Sequence, residues 1–497
     1  MVPVLITVTI EKNSAVPLYE QLYHSLRAGI EHGAFFAGDR LPSKRKLALH
    51  LEISQNTVEN AYAQLIAEGY LYAIEKSGYF VSALEPYSGR SDAAQADGPA
   101  ATPRIRENYH APSAGKPDAA VFDGNAGPPE TRGAPAYDLR IDVVDTRHFP
   151  YSVWNRLQRK CIGSDSVNIP DRQDYSAQGS LPLRREIARH LMHFKGMSVH
   201  PEHIILGAGT EYLFGVLADL LREKTFAIED PGNPAIKRIL DVKGMEYAAI
   251  ALDPEGLDFR SLNEHGAEAA VIMPAHHFPT GVTMSVNRKR QLLKWLADDG
   301  SRVLIEDDFD SEFRHSLRPT PTLFDMGEGL NVVYLNSFTR TIAPSLRVAY
   351  MILPVPLHER YRRDMSLYSS TVSEFEQRTL ELFLSEGYFE RHIMRMRKVY
   401  RRRRDEFAAA LAVADALPGI EVIPPKCGLV FGIRSDKFSA EEIIRRAYQN
   451  GAALYPTAGY YFRAPPPRGA VLAGFAGLRT EELKIVGALL TEALSDL

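Results

Sequence analysis

Cysteine is almost absent: Cys161 and Cys427 are the only two in 497 residues. That excludes a disulfide framework and a cysteine-rich metal site, so both thiols are expected to be reduced and the protein cytoplasmic. Net charge is lacking as well. Lys and Arg number 58 against 62 Asp and Glu, a balance of −4, so bulk charge lends no support to nucleic-acid binding. Long apolar runs are missing too. Residues 1–10 are apolar, but they are β-branched, alternate, and lack a basic start; they read as a strand or loose terminus, not as a leader or membrane anchor. No internal repeat is visible, which removes solenoid architectures.

What is present is length. A chain of 497 residues exceeds one ordinary core and predicts two or more domains. Residues 83–134 turn to Ala, Pro, Gly, Asp and Ser with few large apolar side chains, too little burial to order a backbone, and read as a flexible linker. The expected organisation is therefore a small unit at 1–82 and a large one at 135–497.

In the first unit Leu18, Leu22, Leu26 and Ile30 make an apolar stripe behind Pro17, predicting a helix with proline in its first turn. Ser43 is placed to cap a second helix carrying Leu47 and Leu51. Ser54 is placed to cap a third that buries Val58, Ala61, Tyr62, Leu65 and Ile66 and stops at Gly69. Segments 70–74 and 79–82 then form a hairpin through Ser77 and Gly78. Gln55, Asn56 and Thr57 open the third helix with short polar groups suited to base edges or phosphates. Seven basic against eight acidic side chains over 1–82 would also fit a protein-interaction module. The positive charge is nevertheless local, at Lys44, Arg45 and Lys46, where phosphate contact needs it.

The segment from Leu41 to Val81 resembles the GntR-type winged helix-turn-helix. The resemblance implies that Ser43 and Arg45 contact the DNA backbone, that Gln55, Asn56 and Thr57 begin the recognition helix, and that Gly78 tips the wing. Lys44 and Gln55 depart from that pattern, which puts one base contact in doubt.

In the second unit short apolar runs, such as 303–305 and 332–335, alternate with helical stretches, predicting a largely parallel sheet. The ordered motifs YSAQGSLPLRREIA, GAGTEYL, EDPGNP, HHFPTG, EDDFDSEFR and NSFTRTIAPSLRVAY resemble fold-type I aminotransferases. With the head, the whole chain resembles the MocR subgroup of GntR regulators. That implies an α/β multidomain protein, a homodimer on double-stranded operator DNA, sensing a small-molecule effector around pyridoxal phosphate.

By the same resemblance Ala208, Gly209 and Thr210 match the helix-start loop that holds phosphate. Ser337 and Arg347 match its side-chain ligands, Tyr175 the tyrosine that crosses to the neighbouring subunit, and Asp307 the partner of the pyridinium nitrogen. Arg340 stands where the family has its Schiff-base lysine; a guanidinium offers no free amine, so any binding of the cofactor there is non-covalent. Asn233 replaces the stacking aromatic, Phe309 the tyrosine on the ring oxygen, and Leu472 the arginine for a substrate carboxylate. Two readings stand: weak, non-covalent pyridoxal phosphate, or a pocket reshaped for another small anion with Arg340 as fixed charge. A working transaminase with a regulatory head is the alternative, and an inert dimerisation scaffold the bland one. The arginine-rich stretch after Arg391 matches a long family helix, with Ile393, Met396 and Tyr400 buried and the arginines solvated. His276 and His277 have no further ligand at useful spacing and are expected to line the pocket, with no metal site.

Overall fold

The computed structural model describes residues 16–74, 77–84, 135–163, 177–315, 321–365 and 367–495. The readings made for residues 1–10, for most of the linker and for Tyr175 lie outside them.

Three helices, α1 (Leu18–Glu31), α2 (Lys44–His50) and α3 (Gln55–Ala67), pack with a three-stranded antiparallel sheet of Arg40–Leu41, Gly78–Val81 and Leu71–Ile74. The serine caps form as expected: Ser43 accepts from Lys46 N and Ser54 from Thr57 N at 3.0 Å. Three details differ. Pro17 sits one residue earlier, at the N-cap of α1. Ile66 is only half-buried, whereas Gln64 is buried beside Leu65 with its amide bonded to Glu68. Arg40–Leu41 supplies a strand that a two-residue run could not announce.

The large unit is built on an eight-stranded sheet. Its spatial order is Ile204–Gly207, Ala349–Ile352, Val332–Ser337, Val303–Asp307, Ala269–Ile272, Phe226–Asp230, Tyr247–Asp253 and Gly256–Leu257. The five strands from Val332–Ser337 to Tyr247–Asp253 run parallel, whereas Ala349–Ile352 is antiparallel to both neighbours. All of these strands but Tyr247–Asp253 are buried along their whole length, whereas Tyr247–Asp253 is mostly half-buried. A second sheet of four antiparallel strands, Ile420–Ile423, Val430–Ser435, Val471–Gly474 and Tyr455–Pro456, forms a smaller lobe.

The 28-residue helix Tyr388–Asp415 ties the lobes together. Ile393, Met396 and Tyr400 are buried on it as the stripe requires, but Arg403 departs from the solvated arginine face. It is 5% exposed and its guanidinium lies 2.7 Å from Asp145, a buried charge matched by a buried charge. The same helix clamps the site loops: His392 Nε2 meets Thr341 O at 3.1 Å and Arg397 Nε donates to Glu312 O.

The head docks on the large unit through the start of helix Val286–Ala297. Val286 N donates to Glu68 O at 2.8 Å, Asn287 donates to Ala83 O, and the Val286 side chain joins the head's own core. Gly69 is required at this contact. Its φ is +82°, and a Cβ there would sit 3.3 Å from Ser285 Cβ. Val286→Asp should therefore place a charge in the seam and cost on the order of 3 kcal/mol of docking. Scanning calorimetry is expected to show the head melting separately, below the main transition; a single unshifted transition would contradict the seam.

Candidate functional site

Two surfaces carry the residues singled out by sequence. On the head, the N-terminal turns of α2 and α3 are fixed to each other by Lys44 Nζ on Glu59 at 2.7 Å and by Tyr62 OH on Pro42 O. Ser43, Arg45, Gln55 and Asn56 are at the surface there. Thr57 is half-buried, with its hydroxyl 2.8 Å from that of Ser54, so it completes the cap as well as facing outward. Lys44 is the departure: its charge is committed to Glu59, leaving Arg45 and Lys46 as the cations of that turn still open to a phosphate. Gly78 lies on the hairpin with φ +123°, and Arg40 bonds the carbonyl of Ser77 beside it.

In the large unit the topology gathers the phosphate and ring candidates at one edge of the sheet. Asp307 pairs with Leu335, two residues before Ser337; Ser337 pairs with Ala349, and Ala349 with Gly207, which precedes Ala208, Gly209 and Thr210. Asp307, Ser337 and Gly207 are carboxyl ends of strands that run the same way, with Ala349 opening the antiparallel strand between the last two, and open α/β sheets leave a crevice at such ends. Gly209 is the N-cap of helix Thr210–Leu220 with φ +103° and has no side chain to cap it, which leaves the first N–H groups without a side-chain cap from that residue. Ala208 N is taken by Thr371 Oγ1 at 3.0 Å. Arg347 passes close to Gly209 and pairs with Glu211 at 2.7 Å; phosphate binding there must compete with that carboxylate.

Asp307 is the most informative group. It is 5% exposed and its Oδ1 has no hydrogen-bond partner. Burial, with repulsion from Asp308, Asp310 and Glu211, pushes its carboxyl up to about 7, against some relief from Asn233. A protonated ring nitrogen would supply the missing donor, so this part of the crevice fits a pyridinium. The rest fits a covalently held cofactor poorly. Arg340 donates Nη1 to Ile141 O at 2.7 Å and lies 5.9 Å above the Phe309 ring. Asn233 caps helix Pro234–Lys243 through Ala235 N and offers no stacking face.

Across Phe309 lies a cavity of about 370 Å³, lined among others by His276, Phe278, Lys426, Arg434 and Leu472. Ala67, the last residue of α3, is also part of its wall. His276 thus lines the pocket as expected. His277 is instead buried beneath it, with Nδ1 on Thr280 Oγ1 and Nε2 3.6 Å from Glu229. Burial, with the neighbouring His276, pushes His277 down to about 3, and burial, with a lesser push from Asp307, raises Glu229 to about 8. Neither was foreseeable from spacing, because the two residues come from separate segments of the chain that meet only in the folded sheet.

The comparisons agree with this architecture. A family model described as bacterial regulatory proteins, gntR family, matches residues 18–81, and one for aminotransferase class I and II matches residues 155–487. The HTH-type transcriptional regulator YdeL of Bacillus subtilis (strain 168) is 32% identical, with 96% of this chain and 97% of that one covered. The probable rhizopine catabolism regulatory protein MocR of Rhizobium meliloti is 28% identical over 96% and 93%. The kynurenine aminotransferase of Pyrococcus horikoshii superposes with a TM-score of 0.63 at 20% identity, covering 73% of this chain and 92% of that one, which shows the fold of the large unit alone. Among the described residues no helix is long and apolar enough to cross a membrane. With a GntR-type head on an aminotransferase-fold body along nearly its whole length, the chain belongs to the MocR-type HTH transcriptional regulators of the GntR family.

Proposed function

We propose that this regulator responds to a small anionic ligand, pyridoxal phosphate among the candidates, held without a covalent link and without transamination. It acts as a homodimer on paired operator half-sites, reading DNA with Ser43, Arg45, Gln55, Asn56, Thr57 and the wing at Gly78. Ala208, Gly209, Thr210, Ser337 and Arg347 hold the anionic group, Asp307 a cationic ring nitrogen, and Arg340 adds fixed positive charge. Pyridoxal phosphate, when bound covalently to a lysine, supplies an electron sink for amino-acid chemistry; Arg340 cannot make that bond. Domain limits of 1–82, 83–134 and 135–497 follow the same reading.

The observation that carries it is Ala67. The C-terminal end of the recognition helix forms wall of the cavity that adjoins the Arg340 crevice through Phe309, His276 and Phe278, so a ligand that extends past Phe309 touches the DNA reader itself. Free energy of ligand binding then biases the head's position without a long relay.

The test is operator affinity as a function of salt and of added small anions. Arg45→Ala should weaken binding to every sequence and lower the log–log salt slope by about 0.9 for each phosphate it no longer neutralises. Tight operator binding by that variant with an unchanged slope would remove the DNA assignment. Operator affinity indifferent to pyridoxal phosphate and to a panel of phosphates and carboxylates would remove the ligand response.

A further inference from the structure

Three segments that are far apart in sequence meet behind His276. The loop after strand Ala269–Ile272 brings His276, the turn after Val303–Asp307 brings Asp310, and the segment before Val430–Ser435 brings Cys427. All three are buried, and one donor atom of each lies within 4.8 Å of the other two. His276 Nδ1 is 3.0 Å from Asp310 Oδ1 and 3.3 Å from Oδ2. Cys427 Sγ makes a weak contact, 3.8 Å to the carbonyl of Asp310.

The cluster is held in place by backbone. His315 N donates to Lys426 O, Gly428 N to Phe313 O, and the His315 ring meets Gly428 O, so strapping on both sides fixes Cys427 against the Asp310 turn. Arg314 and Cys427 form an isolated antiparallel bridge in the same strap. Gly428, at φ +78°, lets this strand approach: a Cβ there would stand 2.6 Å from both Asp310 Oδ2 and His276 Cε1. Such closeness fixes the three donors before any ligand arrives, which is what a metal centre requires of its protein.

We propose that His276, Asp310 and Cys427 form a binding site for one borderline-soft divalent cation of the zinc class. One imidazole nitrogen, one carboxylate oxygen and one thiolate make a donor set for zinc or cobalt, too soft for magnesium or calcium. Ligands about 2.0–2.3 Å from zinc stand roughly 3.5 Å from one another, so the set closes by about an ångström of side-chain adjustment. Burial pushes the Cys427 thiol up, and Asp310, Asp308 and Glu312 add to that against Arg314, so a thiolate there calls for a cation beside it. Lys195 neutralises part of that field through its pairs with Asp308 and Glu312. On binding, the sulfur–hydrogen bond of Cys427 gives its proton to solvent as the sulfur–metal bond forms, with no change of oxidation state. His276 also lines the cavity that Ala67 closes, which gives the ion an entry path and leaves a remaining coordination position for water or a ligand donor.

Cobalt(II) titration of the full-length, reduced protein tests this. Wild type should take up one equivalent per chain with a thiolate-to-cobalt charge-transfer band and ligand-field bands in the visible. Cys427→Ser should abolish the charge-transfer band, and Cys161→Ser, which alters a thiol bonded to Thr379 elsewhere, should keep it. His276→Gln should lower zinc retention on equilibrium dialysis at least tenfold, and it serves as the second variant if Cys427→Ser fails to fold. Absence of a thiolate–cobalt band in wild type, or its survival in Cys427→Ser, overturns the proposal.

Discussion

Arg340→Lys alone should leave the protein colourless with pyridoxal phosphate, and Arg340→Ala should weaken the binding of that anion by about tenfold to a hundredfold. The first follows from what else the crevice lacks. A lysine at 340 would regain a nucleophile, but Phe309 has no hydroxyl for the ring oxygen and Asn233 is spent on capping Ala235 N. The Arg340 side chain is also turned toward the Ile141 carbonyl and the Phe309 face. The second follows from charge. Losing a charge-assisted hydrogen bond costs about 1.5–3 kcal/mol, which converts to the stated range at about 1.4 kcal/mol per factor of ten. Equilibrium dialysis measures the affinity, and absorbance with borohydride reduction measures the link. A yellow Arg340→Lys protein whose colour borohydride bleaches would mean the crevice is a cofactor site missing only its lysine. Wild-type protein with the same property, traced by peptide mapping to any lysine, would overturn the non-covalent reading.

The head was legible in sequence because its signals are local. A serine cap reports on three residues, the four-residue apolar stripe on one helix face, and Gly69 on one turn, and each was present in order. The sheet's existence was legible for the same reason, since buried parallel strands such as Val332–Ser337 are short continuous apolar runs. Its antiparallel strand Ala349–Ile352 was not, because direction is fixed by partners on both sides and leaves no mark in the strand itself. The site divides along the same line. Asp307, Ser337 and the Ala208–Thr210 loop fall at strand or helix ends and could be placed by motif. His276 with Asp310 and Cys427, or Lys289 buried near Glu306 and Glu68, exist only after the chain has folded. Lys44 shows a further limit: local sequence made it a phosphate candidate, and tertiary pairing with Glu59 took its charge.

Replacing Asp307 by asparagine should stabilise the unliganded protein while abolishing its stabilisation by pyridoxal phosphate. Asp307 and Asp308 are adjacent and both buried, yet their surroundings push them apart. Burial raises both, but Asp308 receives Lys195, Ser311 and Tyr334 and is held well below the usual carboxylate range. Asp307 receives no such cation and rises to about 7. For a carboxyl whose folded value lies above the unfolded one, the sign is adverse. Below about pH 4 both states are protonated and nothing is lost. Between about pH 4 and 7 the unfolded chain releases its proton while the folded one keeps it, so stability falls as pH rises; above about 7 the deficit is constant. A rise of roughly three units at about 1.36 kcal/mol each puts that deficit at no more than about 4 kcal/mol. Asparagine does not titrate, so the difference in melting temperature, Asp307→Asn minus wild type, should be small at about pH 4, grow through about pH 7, and level off by about pH 8. Pyridoxal phosphate should reverse the ranking, because its protonated ring nitrogen gives Asp307 the partner it lacks and gives asparagine no charge to meet. Thermal melts at a series of pH values, with and without the ligand, measure both halves. A melting-temperature difference that does not vary with pH would show that Asp307 is ionised and paired in the folded protein, and equal ligand stabilisation of both forms would place the ring nitrogen elsewhere.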